Sequence, residues 1–249
     1  MSNLIIDIGN TRTKLAVVDD GQVRNLVIVD KLEKTTLEDI ANVHEIDAAI
    51  ASVVGDRPDF GSVIPHSVVR RFHLLTYKSI LPITLDYETP ETIGMDRVAA
   101  AVGARVVSAT HDPLLVVDAG SCITIDLLDQ HDVFRGGAIA PGLNMRFRAL
   151  HNHTTALPLL SPLNEENHFI TDTPLAGTNT RSSILSGVLN AAAFEIGGFF
   201  RAFQLEYPTI KLFLTGGDAD FFAKRLFFPK FANPNLVVVG LDRILKMNL

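Results

Sequence analysis

Short apolar runs of strand length alternate along this chain with segments in which apolar residues recur at helical spacing. Strands are predicted at residues 4–6, 15–18, 23–29, 48–54, 114–117, 123–128, 133–139, 212–214 and 236–239. Helices are predicted at residues 37–44, 95–108 and 182–203, in a segment opened by Pro141, after Asp218, and at the C-terminus. Strands that alternate with helices in this way predict an α/β fold.

The pattern restarts halfway along the chain. Residues 4–14, LIIDIGNTRTK, and residues 114–124, LLVVDAGSCIT, each comprise an apolar strand, an Asp, one spacer, a Gly, a nearby hydroxyl residue and a second strand. A unit that recurs in this way predicts a duplicated chain, with two similar α/β domains that face each other. We place the domains at residues 1–111 and 112–249, where only the composition near residues 111–113 marks a boundary.

The turn of the first unit contains residue types that bind phosphate. Asp7 stands at a strand end, Gly9 lets the backbone approach a ligand closely, and Lys14 adds a positive charge. Successive N–H groups in such a turn bind anions, and a carboxylate beside them requires a bridging cation, usually Mg²⁺. The predicted ATP contacts in this unit are Asp7, Ile8, Gly9, Asn10, Thr11, Arg12, Thr13 and Lys14. The alternative is an ordinary β-hairpin whose Asp and Asn only stabilise the turn.

Two later Gly turns extend this pattern. Asp118, Gly120, Ser121 and Thr124 repeat the arrangement of the first unit, so that two hairpins can hold a polyphosphate from opposite domains. The pair at residues 216–217 follows another predicted strand, where a tight turn lets a base or a ribose lie against backbone. Three such turns in this order favour nucleotide binding over a purely structural role.

Composition narrows the classes of function. The formal net charge is −6 and the pI about 5.7, which argues against binding nucleic acid through its phosphates. Cys122 is the only cysteine, so no intrachain disulfide can form and a reducing compartment is expected. No apolar run approaches the roughly 20 residues that span a bilayer, and the N-terminus lacks a signal-peptide pattern. We therefore expect a cytoplasmic protein with no nucleic-acid or membrane partner.

The order of these motifs resembles the superfamily of acetate and sugar kinases, heat-shock chaperones and actin, and most closely the type III pantothenate kinases. The matching segments are residues 7–11, Tyr87 with residues 94–97, residues 118–121 with Thr124 and Asp126, residues 136–142, and residues 179–180. The Gly-Met-Asp-Arg element at residues 94–97 is specific to the family, whereas the Asp-x-Gly turns are shared by the superfamily. Ser121 departs from the family, which usually has Thr there, but it keeps the hydroxyl.

The family element can also be interpreted from its own residues. Residues 94–97 open a predicted helix, whose first N–H groups favour anions. Arg97 can bind a carboxylate through two parallel hydrogen bonds, and Asp96 beside it can accept a proton from a hydroxyl. We expect Asp96 to titrate below neutrality near Arg97 and to be ionised at pH 7. The alternative is that Asp96 caps the helix and Arg97 is its surface partner.

The resemblance implies two ribonuclease H-like domains with ATP in the cleft between them. It implies transfer of the γ-phosphoryl group of ATP to the primary hydroxyl of pantothenate, the first step of coenzyme A biosynthesis. Asp96 is then the catalytic base, Mg²⁺ binds with ATP at Asp7, Ser121 contacts ATP, and K⁺ or NH₄⁺ binds at Asp118. The resemblance further implies a homodimer, with pantothenate bound by Tyr87, Gly94, Met95, Asp96, Arg97 and Thr180.

Two other functions are compatible with the motifs. One is a different small-molecule kinase or a phosphatase on the same fold, which the family element and the short length disfavour. The other is a non-enzymatic accessory regulator, which predicts decayed acidic residues or a basic recognition helix. Asp7, Asp96 and Asp118 are all retained, and no basic helix is evident, so the sequence favours the enzyme.

Overall fold

A computed structural model describes residues 2–55, 58–64 and 69–249 of the chain. The strands are β1 (Ser2–Ile8), β2 (Thr13–Asp19), β3 (Gln22–Val29), β4 (Ile46–Val53), β5 (Arg71–Leu74), β6 (Thr84–Leu85), β7 (Leu114–Ala119), β8 (Cys122–Leu128), β9 (Val133–Pro141), β10 (Lys211–Thr215) and β11 (Lys230–Ala232). The helices are α1 (Lys34–Val43), α2 (Phe60–Val63), α3 (Met95–Val107), α4 (Leu143–Asn152), α5 (Thr180–Leu185), α6 (Ala191–Glu206), α7 (Ala219–Arg225) and α8 (Leu236–Leu245). The predicted α/β fold is confirmed.

The chain folds into two compact units. The first comprises Met1–His111, His131–Arg135 and Asn235–Leu249, and the second comprises Asp112–Gln130 and Gly136–Pro234. Their ranges differ from the predicted domains of residues 1–111 and 112–249. The segment His131–Arg135, which includes the start of β9, and the segment Asn235–Leu249, which contains α8, both belong to the first unit.

A five-stranded sheet in the order β3-β2-β1-β4-β5 lies at the centre of the first unit. Strand β1 runs antiparallel to β2 and parallel to β4. Strands β1 and β4 are buried on both faces, as near-continuous apolar runs are when helices cover a sheet. On one face Leu4 and Ile6 pack with Leu37 of α1 and Phe60 of α2, and helix α8 lies against β1 and β4.

The second unit repeats the arrangement of these central strands. Its sheet has the order β11-β10-β7-β8-β9, in which β7 runs antiparallel to β8 and parallel to β10. The trio β8-β7-β10 therefore corresponds to β2-β1-β4 in the first unit. In its core, Leu115 and Val117 of β7 pack with Leu189 and Ile196, which lie on the continuous helix Thr180–Glu206, and with Phe222 of α7. The duplication predicted from the sequence is present in the strand pairing.

The C-terminal segment differs from its prediction. Residues 236–239, predicted as a strand, form the first turn of helix α8, because a four-residue apolar run fits a buried helix as well as a strand. Helix α8 packs closely on α3, where a Cβ atom on Gly240 would collide with the backbone oxygen of Ala99 and one on Gly103 with that of Leu236. This close packing places residues 235–249 in the first unit rather than in a domain that spans 112–249.

Two further helices differ from their predictions. Pro141 is the last residue of β9, and α4 begins two residues later with Gly142 as its N-cap. The predicted helix 182–203 extends over Thr180–Glu206 and contains a π-helical turn at Ser186–Asn190. Its most apolar window has a mean hydropathy of 1.4, and among the described residues it is the one helix long and apolar enough, by length and composition, to cross a membrane. Half of this window is buried inside the protein, as expected of a core helix.

Candidate active site

The first phosphate-type hairpin joins β1 to β2 through the turn at residues 9–12. The Gly9 N–H donates to the Arg12 carbonyl oxygen at 3.1 Å, which closes the turn. The Val54 N–H donates to the Ile8 carbonyl oxygen at 2.8 Å and ties the hairpin to the end of β4. Side chains at the tip of the turn are exposed, namely Asn10, Thr11 and Arg12. The predicted ATP contacts thus form one hairpin with an accessible tip.

Three polar residues lie side by side at the base of this hairpin. Asp7 is directly opposite Lys14 on β2 and Ser52 on β4. Residues paired across neighbouring strands project from the same face of a sheet, so these three form one row, which we call the first polar row. Ser52 is fully buried, and its hydroxyl makes no hydrogen bond to the described residues. A carboxylate, an ammonium group and an unused hydroxyl therefore lie together at one end of this face.

The second hairpin is tighter and is enclosed by neighbouring segments. Strands β7 and β8 meet at Gly120 and Ser121, where the Gly120 N–H donates to the Cys122 carbonyl oxygen at 2.8 Å. The Gly142 N–H donates to the Ser121 carbonyl oxygen at 3.1 Å, and the Asp218 N–H to that of Ala119 at 2.9 Å. The starts of α4 and α7 are therefore both fastened to this hairpin, which holds its turn rigidly.

A second polar row crosses the base of this hairpin. Asp118 is directly opposite Thr124 on β8 and Thr215 on β10. The hydroxyl oxygens of both threonines are buried, and neither makes a hydrogen bond to the described residues. Hard cations prefer oxygen ligands, so a carboxylate flanked by two unused hydroxyls suits an alkali cation. Buried hydroxyls without a hydrogen bond require an explanation in any fold, and binding of an ion is one of the ordinary ones.

The third Gly turn follows β10 and adds a titratable carboxylate. Gly216 has φ +92°, and a Cβ atom there would collide with the Ala119 backbone oxygen and the Asp118 carboxylate, so only glycine fits. Asp218 lies two residues further on and is the N-cap residue of α7. Burial raises the pKa of Asp218 from 3.8 to about 6. The sequence predicted the turn but not this perturbed carboxyl group.

The family element lies at the start of helix α3, as predicted. Gly94 is the N-cap and Met95 the first helical residue. The Arg97 N–H donates to the Asp96 Oδ1 at 2.9 Å, and a Cβ atom on Gly94 would lie 2.6 Å from that same oxygen. The glycine therefore makes room for the Asp96 carboxylate against the first turn of the helix.

The pKa of Asp96 is governed by two opposing influences. Burial raises it and is the larger influence, while the Arg97 N–H hydrogen bond and the Arg97 charge lower it. The prediction from the sequence considered only the neighbouring charge. A raised pKa in a carboxyl group at a helix start is typical of acid–base groups in active sites, where the group must exchange a proton near neutrality.

Arg97 and Tyr87 meet on one aromatic ring that the sequence did not identify. Arg97 is only 5% exposed, so it is not the surface residue of the alternative interpretation, and its Cζ lies 5.9 Å from the centre of the Phe134 ring. The Tyr87 ring centre is 6.5 Å from the same ring. Strand β6 pairs with the first residues of β9, and the Asp86 N–H donates to the Phe134 carbonyl oxygen at 3.0 Å. This pairing places Tyr87 and Arg97 beside the same Phe134 ring.

Thr180 lies at the start of another helix. Asn179 caps α5 by accepting the Ser182 N–H at 2.9 Å, and the Ser182 hydroxyl accepts the Asn179 N–H at 3.1 Å, which completes a capping box. Thr180 itself is exposed. The structure thus groups the predicted site residues into four sets: the two hairpins, the cluster of Tyr87 with residues 94–97, and the exposed Thr180.

No cluster of three or more His, Cys, Asp or Glu side chains that could hold a metal ion exists among residues 2–55, 58–64 and 69–249. Mg²⁺ often binds through one or two carboxylates together with substrate phosphates, and Asp7 beside the first turn fits that mode. Neither of the two predicted cation positions therefore has three such side chains among the described residues.

Comparison with solved structures shows the fold. A Campylobacter jejuni protein described as a Baf family transcriptional activator has a TM-score of 0.63 at 22% identity, covering 98% of each chain. A glucokinase from an Antarctic psychrotroph has a TM-score of 0.54 at 12% identity, also covering 98% of each chain. At these identities the likeness concerns architecture alone, and it places the chain in the actin-like ATPase fold that the sequence predicted.

Comparison with sequences gives the family. The sequence profile described as type III pantothenate kinase matches residues 3–202. A type III pantothenate kinase of Cytophaga hutchinsonii is 38% identical, covering 99% of this chain and 100% of that protein. One of Flavobacterium johnsoniae is 36% identical, covering 96% of each chain. This chain belongs to the type III pantothenate kinase family.

Proposed function

We propose that this protein transfers the γ-phosphoryl group of ATP to the primary hydroxyl of pantothenate, giving 4′-phosphopantothenate for coenzyme A biosynthesis. The observation that carries the proposal is full-length similarity to type III pantothenate kinases together with the Gly-Met-Asp-Arg element at a helix start, in which Met95 and Arg97 are buried. The new P–O bond forms to the pantothenate oxygen, the bond to the β-phosphate oxygen breaks, and ADP leaves.

Asp96 is proposed to orient the hydroxyl and to accept its proton. Phosphoryl transfer depends mostly on positioning and on charge stabilisation, so the proton is accepted late, as the P–O bond forms. The carboxylate is fixed by the Arg97 N–H through Oδ1, which leaves Oδ2 as the second acceptor. Because burial raises the pKa of Asp96, the ionised base is lost at a higher pH than for an ordinary Asp. Turnover should therefore fall on the acid side above the usual titration range of Asp.

Arg97 is proposed to bind the carboxylate of pantothenate, with Tyr87, Gly94 and Met95 lining the same site. A guanidinium group matches a carboxylate through two parallel hydrogen bonds, and contact with the Phe134 face orients its plane. Its burial strengthens a charged hydrogen bond, because little water competes. A carboxylate that reaches Arg97 would be recognised in preference to a neutral group.

The first hairpin is proposed to bind ATP phosphates with Mg²⁺, and Ser121 to contact ATP from the second hairpin. Asp7 would hold Mg²⁺, whose charge offsets that of the transferred phosphoryl group. Lys14, in the same row as Asp7, adds a fixed positive charge on that face. The exposed tip of the turn supplies polar side chains and backbone N–H groups for the phosphate oxygens.

Asp118 is proposed to hold K⁺ or NH₄⁺ with the flanking hydroxyls of Thr124 and Thr215. The two threonine hydroxyl oxygens are buried and make no hydrogen bond within the described residues, which supports their use as ligands of K⁺ or as partners of an ammonium ion. The bound cation would supply positive charge beside the second hairpin.

We also propose that the protein acts in the cytoplasm as a homodimer in which Thr180 contributes to the pantothenate pocket. Thr180 is exposed at a capped helix start, where its side chain is accessible to a polar ligand. Size measurement in solution would test the dimer, with a single-chain mass of 27.1 kDa as the contradicting result.

The assay of the proposed function measures ADP release with ATP, Mg²⁺ and K⁺ over a panel of acceptors that includes pantothenate, glucose and N-acetylglucosamine. Release that depends on pantothenate supports the proposal. Release that depends only on a sugar identifies another kinase of this fold, and no release with any acceptor favours a non-enzymatic role.

Asp96→Asn tests the base. The amide keeps the shape and the contact to the Arg97 N–H, so the free energy of unfolding should change by about 1 kcal/mol or less. Turnover at saturating substrates should fall by about 10²–10⁴-fold, since the proton acceptor is lost. The KM for ATP should stay near the wild-type value. A folded variant that keeps more than about a tenth of wild-type turnover would show that Asp96 only supports the helix start.

A further inference from the structure

A long irregular segment, residues 153–179, separates α4 from Thr180. Within it the only strand pairing among the described residues is a single bridge between Leu163 and Phe169. Ordered segments of this length without regular structure are uncommon and are usually functional. Their backbone carbonyl groups need partners from elsewhere, because a sheet or helix ladder does not supply them.

Arg225, the last residue of α7, supplies several of these partners. Its Nη2 donates to the backbone oxygens of Ile170 at 2.9 Å and Thr171 at 2.8 Å, and to the Thr173 hydroxyl at 2.6 Å. Its guanidinium carbon lies 4.6 Å from the centre of the Phe221 ring. The side chain is thus sandwiched between an aromatic face and the irregular segment, and Asp172 adds a favourable charge nearby.

The π-helical turn supplies the remaining partners. Arg225 Nη1 donates to Asn190 Oδ1 at 2.6 Å, and Asn190 Nδ2 donates to the Ser186 hydroxyl at 3.1 Å. Asn190 Nδ2 also reaches the backbone oxygens of Thr173 at 3.4 Å and Pro174 at 3.3 Å. The Ser186 hydroxyl donates to the Leu175 backbone oxygen at 2.7 Å. Three side chains therefore hold residues 170–175, and π turns are frequent at functional sites.

The held segment leads directly into Thr180. Gly177 lies so close to the first turn of α5 that a Cβ atom there would collide with the Ser183 backbone nitrogen. The Thr178 N–H donates to the Ser182 hydroxyl at 3.0 Å, and the capping box follows at Asn179. A shift of residues 170–175 would therefore move Thr180, because only a short and closely packed segment lies between them.

We propose that Arg225, with Asn190 and Ser186, is a positioning residue for pantothenate, because it fixes the segment that presents Thr180. This inference rests on the proposed function, in which Thr180 contributes to the pantothenate pocket. Arginine suits the role because its planar fork donates to several acceptors at once, whereas the single ammonium group of lysine lacks that geometry. Arg225 does not touch the substrate in this proposal.

The test compares Arg225→Lys with Lys224→Met, a change at the exposed neighbouring position on the same helix. We expect Arg225→Lys to raise the KM for pantothenate by about 10²-fold, the order expected of a misplacement near 1 Å. The KM for ATP and turnover at saturating pantothenate should change less than threefold, and the control should resemble wild type. A folded Arg225→Lys enzyme with an unchanged pantothenate KM would overturn the proposal, and so would equal losses for both substrates.

Thr180→Val decides whether the network acts through Thr180. If it does, Arg225→Lys should raise the pantothenate KM much less in the Thr180→Val background than in wild type, whereas independent effects would multiply. Multiplicative effects would overturn the proposal.

Amide hydrogen exchange over residues 170–180 keeps the inference separate from the proposed function. Arg225→Lys should raise exchange there and Lys224→Met should not, whichever substrate the wild-type enzyme accepts. Unchanged exchange in Arg225→Lys would exclude the positioning role even if pantothenate is the substrate. If the wild-type enzyme does not phosphorylate pantothenate but exchange still rises in Arg225→Lys, only the proposed function is wrong.

Discussion

The two hairpins have the same strand pairing but different charges at their bases. Each Asp lies between a residue on an antiparallel strand and a hydroxyl residue on a parallel strand, Ser52 beside Asp7 and Thr215 beside Asp118. The antiparallel position holds Lys14 in the first polar row and the neutral Thr124 in the second. The first turn spans residues 9–12, whereas the second spans only residues 120–121.

The difference in charge gives a reason why one hairpin would use a cation from solution. In the first row a built-in ammonium group shares a face with the carboxylate, so the row has no net charge of its own. In the second row the corresponding side chain is neutral, and two unused hydroxyls adjoin the carboxylate. A row with one negative charge and two available hydroxyl oxygens attracts a small cation. A row without net charge is better suited to a ligand such as ATP, which binds together with Mg²⁺.

The largest expected effect comes from neutralising the two carboxylates separately. Asp7→Asn should lower turnover by about 10²-fold or more at limiting Mg²⁺, because an amide cannot offset the metal charge. Asp118→Asn should lower turnover by a similar factor and leave the remaining rate insensitive to K⁺. Both are measured by ADP release in titrations of Mg²⁺ and K⁺. The comparison fails if Asp7→Asn keeps wild-type turnover at limiting Mg²⁺, which would make Asp7 a turn residue.

A smaller effect is expected from giving the second row the charge pattern of the first. Thr124→Lys places an ammonium group opposite Asp118, as Lys14 is placed opposite Asp7. Wild-type turnover should fall about tenfold when Na⁺ or Li⁺ replaces K⁺, as for a lost charge contact of about 1.4 kcal/mol. The variant should be active at the same rate in all three salts. Thr124→Val is the matched control and should keep the salt dependence or lose activity. Equal wild-type rates in K⁺, Na⁺ and Li⁺ would exclude the cation.

The smallest effect concerns the turns themselves. Gly216→Ala should cost about 1–3 kcal/mol in the free energy of unfolding, because φ is +92° and the new methyl group meets Ala119 and Asp118. Gly9→Ala should cost under about 1 kcal/mol, since its methyl group would lie 3.3 Å from the Arg12 oxygen, which an exposed turn can relieve. Denaturant unfolding measures both, and a larger cost at Gly9 would reverse the ranking.

The hairpins were predictable because they are local. An apolar strand, an Asp and a Gly turn lie within a dozen residues, and their spacing alone indicates the arrangement. The start of α3 was predictable for the same reason, since Val98 and Val102 recur at helical spacing after Gly94. Short elements such as β6 and β11 lack enough residues to form a pattern and were missed.

The rest of the candidate site depends on contacts between distant segments. Phe134 joins Tyr87 and Arg97 only because a two-residue strand pairs with the start of β9, and no local pattern encodes that pairing. Arg225 was not identified from the sequence. Its partners lie about 35–55 residues earlier in the sequence, at separations that spacing rules do not reach.

The packing of α8 on α3 has a consequence for how the chain folds during synthesis. The first unit contains both the earliest strands and the last helix, so its core is completed only after residues 235–249 have left the ribosome. The second unit needs nothing beyond Pro234, so its last residue emerges before those of helix α8. Until then the part of the first sheet that α8 covers stays exposed, and truncation of this helix should expose apolar surface in the nascent protein rather than merely shorten it.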